Sequence, residues 1–249
     1  MIEAGCLLND IHREQKLGIR EYVQELGVPY TIIDVGWWMQ FYLPLPLRSA
    51  VAPELKAMSW AVYRGGESRN LLTNVDHIGT YVARIVADPR TVNKAVIIWE
   101  DEVLQKDAHE IGARVSGDGD ALRAQRIQVR ASLDIGYTAG VVTCNERRGA
   151  DLDLLNSLQM SEEDVKKQIA SGRILYEKNP TDYKSSVPLI WAQYMHSMHF
   201  LQENTLENAK RLGYLDAREL YPDIPVQSLE EYAVEFYSMP EPAVVLVRE

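Results

Sequence analysis

Apolar residues recur at helical spacing between Ile11 and Leu26, where Ile11, Ile19, Tyr22, Val23 and Leu26 share one side of a helical wheel. Asn9 or Asp10 can cap a helix over this stretch, and Gly27 stands where a left-handed residue closes it. After the Val28-Pro29 turn the pattern changes. Tyr30 to Val35 is β-branched and apolar without polar alternation, as expected of a strand buried on both faces of a parallel sheet. Pro44 and Pro46 then break regular structure. A second helix is predicted over 75–87, with Ile78, Val82, Ile85 and Val86 as its apolar stripe and Asp88-Pro89 as its stop. Lys94 to Trp99 is a second buried-type strand. Helix, short loop and strand thus occur twice, which indicates an α/β class.

The rhythm fails from Ser116 to about Gly149. That stretch holds Gly117-Asp-Gly-Asp120, a basic piece around Arg123 to Arg130, and weak periodicity. It reads as loop or partial disorder, and a translated non-coding insert would account for it. Ser161-Glu-Glu-Asp164 and Ser228-Leu-Glu-Glu231 each open a helix by the capping rule. Asn204-Thr-Leu-Glu207 opens a shorter one that stops near Gly213. The expected organisation is a sheet-forming part over 1–115, an irregular insertion over 116–150, and a mainly helical lobe over 151–249.

Composition narrows the partners. A formal net charge of −10 argues against a nucleic-acid backbone, which needs clustered Lys and Arg. Cys6 and Cys144 form no framework and no C-x-x-C pair. The first ten residues lack the basic and apolar runs of a signal peptide, and no apolar segment is long enough for a bilayer. A soluble cytoplasmic protein without nucleic-acid or membrane partners is therefore expected; a homo-oligomer or a protein partner stays open.

Candidate chemistry is sparse. Lys16 lies roughly 80° from the centre of the apolar face of its helix, so it either snorkels to water or reaches into a neighbouring cleft as a proton donor. His12 stands one turn before it. Asp34 to Trp38 leave the carboxyl end of the first strand, where ligands bind in doubly wound sheets. There Gly36 would let a ligand approach the backbone, and Trp37 and Trp38 would wall a flat ring or else belong to the core. His196 and His199 have an i, i+3 spacing but no third ligand, so no metal site is expected. Walker A, G-x-S-x-G and H-E-x-x-H sequences are absent.

Taken in order, Lys16-x-x-x-Arg20, Gly27-Val-Pro-Tyr-Thr31, Asp34-Val-Gly-Trp-Trp-Met39, Asp76-His-Ile-Gly-Thr-Tyr-Val-Ala83, Asp88-Pro-Arg-Thr91 and Leu212-Gly-Tyr-Leu-Asp-Ala217 resemble the C-terminal half of the NmrA-like, isoflavone reductase-like family. That resemblance implies an atypical short-chain dehydrogenase: a partial Rossmann-like parallel sheet with a C-terminal helical substrate lobe. It implies NADP(H) as cofactor and a small aromatic or phenolic substrate. Lys16 would serve in proton transfer, Asp34, Val35 and Gly36 would border the nicotinamide, and Trp37 and Trp38 would shape the substrate pocket. The family's opening strand and Gly-rich phosphate turn have no counterpart in this sequence. Weak or no binding of NADP(H) by this chain alone, and an exposed sheet edge, are the expectations that follow. A non-enzymatic NAD(P)-sensing regulator and a truncated inactive pseudo-enzyme are the alternatives.

Overall fold

In the computed structural model, residues 11–122 and 159–242 are described. The first strand explains the layout. Helix α1 (Ile11–Glu25) ends at Gly27, whose φ of 64° is the left-handed conformation expected there, and leads into β1 (Thr31–Val35). β1 pairs in parallel with β5 (Lys94–Ile98), and β5 pairs in parallel with β8 (Leu215–Asp216), giving the order β1-β5-β8. The predicted parallel α/β sheet is therefore present, and residues from the C-terminal third complete it. Among the described residues β1 has one strand neighbour, so it is an edge.

At Gly36 the chain changes partners. Its N–H still donates to the Ile98 carbonyl (2.8 Å), but β2 (Trp37–Trp38) pairs in parallel with β4 (Arg69–Thr73). β4 in turn pairs antiparallel with β6 (Asp101–Leu104). Trp37 and Trp38 thus open a second small sheet rather than an unstructured exit. Between these strands come α2 (Met39–Tyr42), α3 (Pro53–Trp60), β3 (Val62–Tyr63) and α4 (Ile78–Val86), the last stopped by Asp88-Pro89 as predicted. α5 (Gln105–Val115) follows β6, and β7 (Gln159–Met160) pairs with β3. Gly117 is a turn residue with φ 77°, as expected. The structure departs from the predicted loop just beyond it: residues 119–122 are helical, with Leu122 N–H donating to Asp118 O (2.7 Å), and Asp118 Oδ2 accepts from Leu47 N–H (3.1 Å). The basic piece from Arg123 onward lies outside the described residues.

The C-terminal region is mainly helical: α6 (Glu162–Lys178), α7 (Tyr183–Met195), a π-helical turn (His196–Phe200), α8 (Leu206–Arg211), α9 (Ala217–Leu220) and α10 (Leu229–Ser238). Ser161 and Ser228 both form the predicted capping boxes, with Asp164 and Glu231 as reciprocal partners. Gly172 lets α6 close on α7, since a Cβ there would stand 2.8 Å from Leu189 Cα. The larger core gathers Met39, Leu43, Leu45, Leu189, Leu229 and Phe236, each at most 1% exposed. A second core packs Tyr81, Ile85 and Tyr221 on Val96 and Ile98 of the sheet.

The apolar face predicted for α1 is not buried. Ile19, Tyr22 and Leu26 are 64%, 61% and 54% exposed. α1 turns a polar row to the sheet instead: Arg20 reaches Asp34, and Gln24 donates to the Tyr30 hydroxyl (3.1 Å).

Candidate active site

Trp37 stands where β1 hands over to β2, and its indole is wrapped edge-to-face by Trp191 (ring centroids 6.0 Å, 66°) and Tyr194 (5.7 Å, 67°) of α7. Such tilted contacts suit the quadrupoles of aromatic rings. Phe41 lies 5.9 Å from Trp37 and stacks on Trp38 at 5.6 Å. Trp37, Phe41 and Trp191 form one wall of a narrow cleft whose remaining surface includes Tyr63, Gln105, His109 and His199. Trp38 stands outside that lining, behind Phe41. The cleft has room for about one or two water molecules. Met58, Met195 and Met198 also line it, and unbranched thioethers adapt to an entering group more readily than branched side chains do.

The polar groups of the cleft differ in what they have left to offer. Gln105 is committed at both ends, accepting from Tyr63 N–H (2.9 Å) and donating to the Ala61 carbonyl (3.0 Å). His199 lies in the π-helical turn, a local widening of the helix that occurs often at functional sites. Its Nδ1 is 2.5 Å from Ser68 Oγ, and its ring stacks on Tyr63 at 4.7 Å and 10°. Burial pushes its pKa down to about 3, so the imidazole is neutral at neutral pH. His196 faces away to Glu162 (3.1 Å), a carboxyl held below its usual range by hydrogen bonds from Lys166 and His196. The two histidines therefore do not converge, and among the described residues no group of three or more His, Cys, Asp or Glu could hold a metal ion.

Upstream on β1, Asp34 is 7% exposed and committed to protein contacts. Arg20 donates to both its oxygens (3.2 and 3.1 Å), and the Tyr214 hydroxyl donates to Oδ2 (2.5 Å). Burial, together with that carboxylate, raises the Tyr214 pKa and keeps the phenol protonated. Gly36 does permit a close approach, but by protein: a Cβ there would stand 2.8 Å from the Leu71 carbonyl carbon and oxygen. The expectation that Gly36 admits a ligand to the backbone is corrected on this point, because β4 crosses there.

Comparison with known proteins then places the chain. No protein-family model matches it. It is 28% identical over 225 residues to the asnovolin J 5′,6′-dehydrogenase of Aspergillus novofumigatus, covering 90% of this chain and 58% of that protein. It is 24% identical over 224 residues to a phenylcoumaran benzylic ether reductase of Betula pendula, with coverage of 89% and 57%. Its fold matches the leucoanthocyanidin reductase–NADPH complex from Vitis vinifera at a TM-score of 0.59 and 15% identity, covering 95% of this chain and 62% of that one. The chain is a homologue of the isoflavone reductase-like, NmrA-like proteins. It spans less than two thirds of the length of each of these relatives.

The residues singled out in the sequence fall into two groups. Trp37 lines the cleft. Lys16 lies on the same i, i+4 row of α1 as Arg20 and Gln24. Since Gln24 meets Tyr30 and Arg20 meets Asp34, that row climbs toward the carboxyl end of β1, with Lys16 exposed one turn beyond Arg20. Asp34, by contrast, is absorbed by the Arg20–Tyr214 network. Ser68, Tyr63, His109 and Trp191 were missed by the sequence reading. They are distant in sequence and carry no local motif.

Proposed function

We propose that this chain is the substrate-facing part of an NAD(P)H-dependent reductase of small aromatic or phenolic compounds. The observation that carries the reading is the aromatic cleft beginning at Trp37, directly beyond the carboxyl end of a parallel strand, where open α/β sheets bind ligands. The names of the homologues agree with it, since they include a benzylic ether reductase and a reductase solved with NADPH. Lys16, aligned by its row toward the same strand end, supplies or relays the proton, and Val35 presents strand-end backbone near the nicotinamide. Trp37 orients the flat substrate; Trp38 backs Phe41 and so fixes the wall.

The fit to the cofactor is one-sided. A nicotinamide needs a flat surface near a strand end, which Trp37 and β1 provide. The dinucleotide phosphates need backbone N–H donors on a Gly-rich turn at a helix N-terminus, and the described residues contain no such turn after a strand. When bound, the cofactor would supply the hydride; the residues of this chain bind, orient and protonate the substrate.

A second reading, a non-catalytic dinucleotide sensor or inactive relative, draws on the exposure of Lys16 and the commitment of Asp34. One experiment separates them: NADPH consumption by the purified chain at millimolar NADPH, over a panel of phenolic and aromatic carbonyl compounds, beside Lys16→Ala. Slow turnover that Lys16→Ala abolishes is expected. A folded chain with no turnover, or turnover unchanged by Lys16→Ala, overturns the reductase reading.

A further inference from the structure

Ser68 and His199 are 131 positions apart in sequence, yet their side chains meet in the interior, Ser68 fully buried and His199 1% exposed. A buried hydroxyl needs an acceptor for its proton. Among the described residues the hydrogen-bond partner of Ser68 Oγ is His199 Nδ1. In a neutral imidazole one nitrogen donates and the other accepts. Ser68 therefore takes the accepting nitrogen, and the ring proton lies on Nε2. Tyr63 stacks on the ring face and the π-helical turn sets its backbone, so the imidazole cannot easily swing. Nε2 has no hydrogen-bond partner among the described residues, and His199 lines the cleft.

We propose that His199 is the specificity-determining group of the cleft, a fixed N–H donor that recognises an acceptor oxygen, carbonyl or phenolic, on an aromatic compound that enters against Trp37 as Met58, Met195 and Met198 move aside. Ser68 is its positioning residue. The proposal deepens the reading of the cleft as a substrate site, and it requires no bound cofactor. Its chemistry follows from the unequal cost of mismatches. A site built around a buried donor discriminates strongly against an analogue that leaves the donor unpaired, whereas an apolar wall barely distinguishes analogues of equal size. Protonation is no obstacle, since burial holds His199 neutral across the physiological range.

The test uses two probes of similar size, acetophenone and ethylbenzene, titrated at up to millimolar concentration into the purified chain by ligand-observed NMR and tryptophan fluorescence. Loss of one such hydrogen bond corresponds to a factor of about ten. Wild type is expected to prefer acetophenone about tenfold. His199→Phe should bring the ratio near one while keeping ethylbenzene binding, and Ser68→Ala should give a ratio in between. Histidine nitrogen-15 spectra provide a check that does not depend on the variants folding. One neutral histidine should show the Nε2–H tautomer at neutral pH, and its Nε2 signal should move with acetophenone but not with ethylbenzene. A wild-type ratio near one, a preference that survives in His199→Phe, binding of neither probe, or an Nδ1–H tautomer would each overturn the assignment. The outcome is separable from that of the reductase reading: NADPH turnover can fail while the preference holds, and turnover can occur with no preference.

Discussion

The helical lobe and the α1 side of β1 use similar side chains to different ends. In the core packed by α2, α7 and α10, Met39, Leu43, Leu189 and Phe236 are at most 1% exposed. On the flank of α1, Leu17, Ile19, Tyr22 and Leu26 stay 36–64% exposed, and the helix is held by Arg20–Asp34–Tyr214 and Gln24–Tyr30 instead. Both regions show apolar residues at helical spacing. The difference lies in what is available to cover them: the helical lobe closes on itself, whereas β1 has one strand neighbour among the described residues. An amphipathic pattern shows that a helix has a face to bury. It does not show that the same stretch of chain supplies the cover.

The most severe break falls in the covered lobe. Phe236 is 1% exposed and rests in the main core against Tyr232 and Tyr237, at ring distances of 5.9 and 5.1 Å. Phe236→Ala removes its transfer energy and leaves a cavity, which together cost about 3–5 kcal/mol. Urea denaturation followed by circular dichroism reads this directly. A cost below about 1 kcal/mol would mean that the lobe is not the close-packed core described here.

How far the sequence carried the fold follows the same division. Signals that act within a few residues were legible: the capping boxes at Ser161 and Ser228, the stop at Asp88-Pro89, the left-handed Gly27, and the two β-branched runs that pair as β1 and β5. Long-range events were not. Periodicity gives no hint that the backbone switches sheets at Gly36, that Leu215 adds a strand beside Val96, or that Asp34 is claimed by Arg20 and Tyr214. The site divides likewise. Trp37 was legible because it follows a strand end; the Ser68–His199 pair joins segments that no local pattern connects.

A smaller effect, specific to the cleft, is pH-dependent. His199 has a folded-state pKa of about 3 against an ordinary value of 6.5, with burial as the cause. Between those values the unfolded chain binds a proton that the folded chain does not, so stability falls as pH falls. The loss amounts to about 1.4 kcal/mol per pH unit, or about 2–3 kcal/mol between pH 7 and 4.5. His199→Gln has no such proton to bind. The difference between wild-type and His199→Gln denaturation midpoints should therefore shrink or reverse on acidification across this window. A difference that does not change with pH would place the imidazole in contact with water and would dissolve the contrast between a buried imidazole and an open flank.

The smallest effect belongs to the open flank and bears most directly on the comparison. Ile19 is 64% exposed, so folding hides only about a third of its side chain. Complete burial of an isoleucine stabilises by about 1.5–3 kcal/mol, and a third of that is about 1 kcal/mol or less. Ile19 makes no hydrogen bond through its side chain, and Ser is close to Ile in helix propensity. Ile19→Ser should therefore lower stability by no more than about 1 kcal/mol. The same denaturation series used for Phe236→Ala measures it. A cost of about 3 kcal/mol would match a buried position and show that the α1 face is covered in solution by polypeptide other than the segments described around it. The two regions would then be alike in being covered, and would differ only in where the cover comes from.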